Sequence, residues 1–157
     1  MRRPRASLAV LLLAGCATTV AVPLPPTVRI VPPAPTLPRE VAAFSGKWVG
    51  AWVPDRDVAT GPRAGQRRDH ILVVEEVTAA EATVIYALGT GAGLELTPDV
   101  RPVWFRTKGR FVGGALTLVF PAIGARASYR MRPDGTLDAT QEREGRVFRA
   151  RMARAPE

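Results

Sequence analysis

Phe44-Ser45-Gly46-Lys47-Trp48-Val49-Gly50-Ala51-Trp52-Val53 is the stretch that decides the fold. Strand side chains alternate between two faces, so Phe44, Gly46, Trp48, Gly50 and Trp52 share one. Ser45, Lys47, Val49 and Ala51 share the other, which offers a much poorer core. Three aromatic rings on one face, with glycines between them that let other chains approach closely, make that face the inner one. A strand of this kind exposes unpaired edges and needs strands on both sides.

The chain downstream supplies them. Residues 54–68 hold Pro, Gly, Asp and Arg without periodicity and read as a long loop. His70 to Val77 reads as a second strand, with Ile71, Val73 and Val77 on one face and Leu72 and Val74 on the other. Thr78-Ala79-Ala80 turns the chain, and Ala82 to Leu88 points Val84, Tyr86 and Leu88 inward. Glu75 to Ala82 is the one stretch where a helix competes. Val103 to Thr107 reads as a fourth strand, and Lys108-Gly109 as a turn or bulge before Arg110-Phe111-Val112. Gly113-Gly114 is a two-residue hairpin turn. Leu116, Leu118 and Phe120 then share a face, as do Ala125, Ala127, Tyr129 and Met131. Pro133-Asp134-Gly135 and Glu144-Gly145 turn the chain again, with Leu137, Ala139 and Gln141 alternating between them. Phe148, Ala150 and Met152 alternate after them, against Val147, Arg149 and Arg151. The pattern predicts an all-β domain: a small antiparallel meander of about eight strands, closed into a β-barrel so that no edge is left open.

Gly46-x-Trp48 on a first strand, followed by such a meander over residues 44–153, resembles the calycin group of lipocalins and avidin-like barrels. The resemblance implies that the tryptophan closes one end of the barrel. Gly50-Ala51-Trp52 repeats the same spacing in phase. The chain departs from lipocalins in being shorter, in lacking an internal disulfide and in showing no helical pattern after the last strand.

Upstream of the barrel the texture differs. Met1-Arg2-Arg3-Pro4-Arg5 precedes an apolar run from Ala6 to Ala14, which is too short to cross a bilayer as a helix. Leu13-Ala14-Gly15-Cys16 follows, and Cys16 is the only cysteine of the 157 residues. This layout is an export signal over 1–15, and the four residues resemble the lipobox of bacterial lipoproteins. The resemblance implies cleavage before Cys16, a diacylglyceryl group on its sulfur and an acyl chain on its amine. More than one chain is what stable attachment requires. Ala17, rather than an aspartate, implies the outer membrane in the Gram-negative sorting pattern. Residues 16–40 carry prolines at 23, 25, 26, 32, 33, 35 and 38, which forbid a helix or a central strand. They read as an extended tether between a membrane anchor and the domain at 41–157.

The formal charge is +8, carried by arginine apart from Lys47 and Lys108, and Arg2, Arg3 and Arg5 leave with the signal. That arginine bias, with abundant Ala, Gly and Pro, reads as the mark of a GC-rich genome before a binding function; of the anionic partners left open, an exported protein meets lipid and lipopolysaccharide more readily than nucleic acid. His70 is the only histidine, so no zinc site of the usual kind is expected, and no cofactor motif occurs. A Ser-His-Asp set would need Ser45 or Ser128 beside His70 and Asp69, and neither serine stands in a nucleophile elbow. Glu75 and Glu76 are adjacent, hence on opposite faces, and do not form the carboxylate pair of a hydrolase. Gly89-Thr90-Gly91-Ala92-Gly93 lacks the Lys-Ser/Thr and the following helix of a phosphate loop. Trp52, Tyr86, Trp104 and Tyr129 are the candidates for lining a site for an apolar or sugar-like ligand. Arg126, Arg130 and Arg132 with Arg149 and Arg151 form a candidate basic stripe outside the barrel. The expectation is a lipid-anchored binding or interaction module of the outer membrane, whose partner is the membrane itself, a small ligand or an envelope protein. A carboxylate hydrolase and a purely structural envelope protein are the alternatives.

Overall fold

The computed structural model describes residues 22–55, 66–90 and 101–156. Among these residues eight strands follow one another: β1 (Gly46–Pro54), β2 (Arg68–Val77), β3 (Glu81–Leu88), β4 (Val103–Val112), β5 (Ala115–Phe120), β6 (Ala125–Met131), β7 (Leu137–Arg143) and β8 (Arg146–Arg154). Each pairs antiparallel with its neighbour in sequence, and β1 also pairs with β8, so the sheet closes into a barrel. This is the all-β meander that the alternation implies, and it fits a calycin-like barrel. The signal over 1–15, Cys16 and most of the 54–68 and 89–93 loops lie outside the described residues.

The inner face follows the parity of the first strand. Phe44, Trp48 and Trp52 are buried together with Leu72, Val84, Tyr86, Leu116, Leu118, Tyr129, Leu137 and Met152. The β1 end that carries Gly46 is the base of the barrel. There the Trp48 indole N–H donates to the Phe44 carbonyl at 2.8 Å. The Arg154 guanidinium lies 4.4 Å from the Trp48 ring centre and donates to the Ser45 and Ala43 carbonyls, both at 2.6 Å. Stacked cation and satisfied donors together close the base. Gly46, at φ +122°, leaves room for that guanidinium, which a Cβ would strike.

Four details differ from the sequence reading. A single helical turn, α1 (Arg39–Ala42), precedes β1, beginning directly after Pro38, and Leu37 packs on the core beside it. Proline is tolerated at a helix start because the first N–H groups have no partner in any case. Gly109 lies within one continuous strand, not at a turn or bulge: the Leu116 and Leu118 side chains occupy the space where its Cβ would stand. A bulge between Val74 and Glu76 shifts the register by one, so Val77 turns inward with Leu72 and Val74 instead of sharing a face with Ile71 and Val73.

The fourth difference is the proline-rich segment. From residue 22 it is extended, as its prolines require, but it is docked on the barrel rather than free of it. Val22 and Leu24 cover Ile71, Val73, Ile85 and Ala87, which are buried on the outer face of β2 and β3. The Arg29 N–H donates to Glu75 Oε1 at 3.1 Å, and the Val31 N–H to the Glu75 carbonyl at 2.7 Å. Arg106 ties the segment down by donating to the Thr27 carbonyl at 2.9 Å and to Glu75 Oε2 at 2.6 Å. That Arg106 contact holds the Glu75 carboxyl below its ordinary pKa. The reason is in the composition: β2 and β3 are apolar on both faces, and an outer face of Ile and Val needs a cover.

Candidate functional site

The base is shut by Trp48, whereas the opposite end holds a cavity of about 720 Å³. This is the mouth, where β1, β3, β5 and β7 end and β2, β4, β6 and β8 begin. The walls are aromatic. Tyr86 stacks on Phe105 at 5.2 Å between ring centres, and both meet Phe120 edge-on, at 5.0 and 5.3 Å. Trp52 and Phe148 line the cavity from β1 and β8. Among the described residues the rim is cationic: Arg67, Arg68, Arg101, Arg143 and Arg146 border the cavity, against one carboxylate, Glu144.

Two polar groups in the wall have no hydrogen-bond partner among the described residues. Trp52, 3% exposed, buries its indole N–H without an acceptor, and Tyr86, 1% exposed, buries its hydroxyl likewise. Trp52 and Gln141 are each near enough to the Tyr86 hydroxyl to moderate it, yet no hydrogen bond of normal geometry forms. Burial drives that hydroxyl well above its ordinary pKa, so it is a neutral donor and acceptor.

Beneath the cavity lies His70, fully buried. Nδ1 is 2.9 Å from the Ala87 carbonyl, which can only accept, so Nδ1 carries the proton. Nε2 then accepts from the Tyr129 hydroxyl at 2.9 Å. The ring stacks on Trp52 at 5.2 Å and leans on Tyr86 at 4.5 Å. Burial lowers the His70 pKa to about 4, with Arg68 adding to the effect. It is a satisfied core histidine, placed among rings rather than beside a serine and a carboxylate.

The four aromatic candidates therefore separate. Trp52 and Tyr86 line the cavity. Tyr129 is one layer deeper, occupied by His70. Trp104 does not belong with them: it is 38% exposed on the outer face of β4, because its neighbour Phe105 takes the inward position. Alternation fixes which residues share a face, but Trp104 and Phe105 are equally apolar and leave the choice of face open.

The basic stripe also resolves differently. β7 runs between β6 and β8 and places acids between the arginines: Arg130 is opposite Asp138, which is opposite Arg151. Arg132 pairs with Asp138 at 2.6 Å, Arg151 with Asp134 at 3.1 Å and Arg149 with Asp55 at 2.9 Å. Arg130 donates to the Gly113 carbonyl, and Arg126 is opposite Glu142. The outer surface here is a ladder of mixed charge and not a cationic face.

Arg68, Phe105, Phe120, Gln141 and Phe148 also line the cavity and were not among the sequence candidates. Arg68 had a signal: it shares the inward parity of His70 and Leu72. Glu75 and Glu76 separate as expected, one against Arg106 and one in solvent. Among the described residues no group of His, Cys, Asp and Glu is arranged to hold a metal ion.

The sequence matches no protein-family model and no curated protein. Two solved structures resemble the fold. One is a de novo designed fluorescence-activating β-barrel, 15% identical, with a TM-score of 0.49 over 73% of this chain and 96% of that one. The other is a redesigned β-barrel, 14% identical, also with a TM-score of 0.49, over 75% and 96%.

Proposed function

We propose that this chain is an outer-membrane lipoprotein whose barrel binds a small, largely apolar ligand at its mouth. The cavity carries the reading. At about 720 Å³ it is of the size that small-molecule sites have, and its walls are aromatic with a few convergent polar groups. A purely structural barrel would gain by filling it, since unfilled apolar space costs stability. A hydrolase of the carboxylate type would need a second acid beside Glu144 in the cavity, and none lines it among the described residues.

The course of the N-terminal segment supports the anchored form of the reading. Val22 packs beside Gly89, at the mouth end of β3. Cys16 stands six residues before Val22, a reach of at most about 20 Å in extended chain. A lipid on Cys16 would therefore hold the mouth, with its arginine rim, toward the membrane surface. Cys16→Ala is expected to move the protein from the membrane to the soluble fraction and to lower its mass by the acyl groups. Retention of the variant in the membrane at unchanged mass contradicts the anchor.

The ligand site is tested by titrating the purified protein with N-phenyl-1-naphthylamine, a neutral dye that brightens in apolar surroundings. Val103→Trp places a bulky ring at the cavity lip, where Val103 is partly exposed and the core is left intact. Saturable binding by the wild type and a loss of roughly tenfold or more in the variant are expected, about the effect of one blocked apolar contact surface. Equal binding by both proteins places the dye elsewhere.

A further inference from the structure

The cavity holds more hydrogen-bond donors than the protein can use. Arg68 lies directly opposite Trp52 across the β1–β2 pair, so both side chains enter the cavity side by side. Its guanidinium is steered by two backbone carbonyls: Nε donates to Gly89 at 3.0 Å and Nη2 to Arg101 at 2.9 Å. These bonds fix the plane of the fork, and among the described residues Nη1 has no hydrogen-bond partner. Among the described residues no carboxylate pairs with Arg68. Glu144, the one acid on the rim among the described residues, is 3.8 Å from Arg143. Beside Arg68 are the Trp52 indole N–H and the Tyr86 hydroxyl, both buried and without a hydrogen-bond partner among the described residues. A half-buried cation and two orphaned donors along one aromatic wall leave an anion-shaped deficit, because each such group costs free energy until something accepts from it.

We propose that Arg68, Trp52 and Tyr86 form a cradle for the acidic head group of an amphiphile, whose apolar body lies against Phe105, Phe120 and Phe148. The inference rests on the reading of the mouth as a ligand site and names the class of ligand that fills it. The shared chemistry is a compact oxyanion on an apolar chain, either a carboxylate or a phosphate monoester. Guanidinium forks match both, and charge-assisted bonds to them are about twice as strong as neutral ones. Two further observations agree. The Arg68 charge is partly desolvated and repelled by Arg143, so a counter-ion there relieves an existing cost. The described part of the rim is cationic, which draws anions toward the mouth before they dock.

The test is displacement of the neutral dye by ligands that differ only in their head. Decanoate, decyl phosphate and decanol share one apolar chain. In the wild type an acidic competitor is expected to act at concentrations roughly tenfold below decanol, as one charge-assisted pair implies. An advantage for decanoate alone assigns a carboxylate head, and an advantage for decyl phosphate alone assigns a phosphate. Arg68→Gln is expected to bring the acidic competitor to within about twofold of decanol. Tyr86→Phe, which removes only an unpartnered hydroxyl, is expected to leave the melting temperature of the free protein unchanged or raised. It should weaken the acidic competitor about fivefold, the worth of one hydrogen bond. This second variant carries the test if Arg68→Gln loosens the β3–β4 connection. Equal displacement by all three ligands in the wild type overturns the cradle and leaves the cavity reading standing. So does an acidic advantage that survives both substitutions. Failure of the wild type to bind the dye or any of the three overturns both.

Discussion

Trp48→Ala is expected to unfold the domain or bring it to the edge of unfolding, while Lys47→Ala changes little. The two residues are adjacent but face opposite sides of β1. Trp48 is 0% exposed, and its ring supports the Arg154 guanidinium that closes the base. Removing a buried tryptophan costs about 3–5 kcal/mol, against a total stability of about 5–15 kcal/mol for a domain of this size. The variant also strands the Arg154 stack and leaves the Phe44 carbonyl without its donor. Thermal denaturation followed by circular dichroism measures the effect. A melting temperature for Trp48→Ala close to that of Lys47→Ala would contradict the assignment of the base as the keystone of the barrel.

The second large effect is acid destabilisation through His70. Its pKa is about 4 in the folded barrel and 6.5 in an unfolded chain. Between these values the unfolded chain takes up a proton that the folded one refuses. The contribution of neutral His70 is thus fully present above pH 6.5 and is lost as pH falls toward 4. The loss over that window amounts to about 3 kcal/mol. The groups facing the ring are Tyr129, Tyr86 and Arg68, and none offers a negative charge to an imidazolium. Glu75, whose folded pKa is depressed, adds a loss of its own only as pH falls below its unfolded value of 4.5. The interval from 6.5 to 4.5 therefore isolates the histidine. His70→Leu is expected to lower the plateau at neutral pH, because the Tyr129 hydroxyl loses its acceptor at a cost of about 1–3 kcal/mol. It should also flatten the profile across the interval. Urea denaturation at a series of pH values shows both. A wild-type profile already flat there would mean that His70 accepts its proton inside the barrel.

The parity of one strand carried most of the architecture. Once Phe44, Trp48 and Trp52 are placed inside, the short turns at Gly113-Gly114, Pro133-Gly135 and Glu144-Gly145 leave a meander as the simplest path. The missed features share a physical cause, which is that alternation reports faces and not what covers them. Ile71, Leu72, Val73 and Val74 are apolar in succession, as are Val84 to Leu88, apart from the Tyr86 hydroxyl. A one-layer barrel has no place for the second apolar face, and that excess was the sign that Val22 and Leu24 would dock there. The bulge at Glu75 is a single added residue, and only two adjacent acids in an apolar strand hinted at it. Arg68 closes a stretch, 54–68, whose Pro, Gly, Asp and Arg show no periodicity, although two steps from His70 is an inward step. The cavity lining was legible in Trp52 and Tyr86 and hidden in Arg68, whose place there depends on the register that sets it opposite Trp52.

The mouth, lined by Trp52, is the proposed seat of the ligand. The protein has three tryptophans, each with one indole N–H that reports on a different place. Trp48 is bonded to Phe44 at the base, Trp104 faces outward, and Trp52 is unpartnered in the cavity. Nitrogen-edited NMR of the labelled protein during titration with decanoate separates them. The account expects the Trp52 indole resonance to move downfield and saturate as it gains an acceptor, with the Trp48 and Trp104 signals nearly still. A Trp52 signal that stays fixed, or a Trp104 signal that moves in its place, would contradict it.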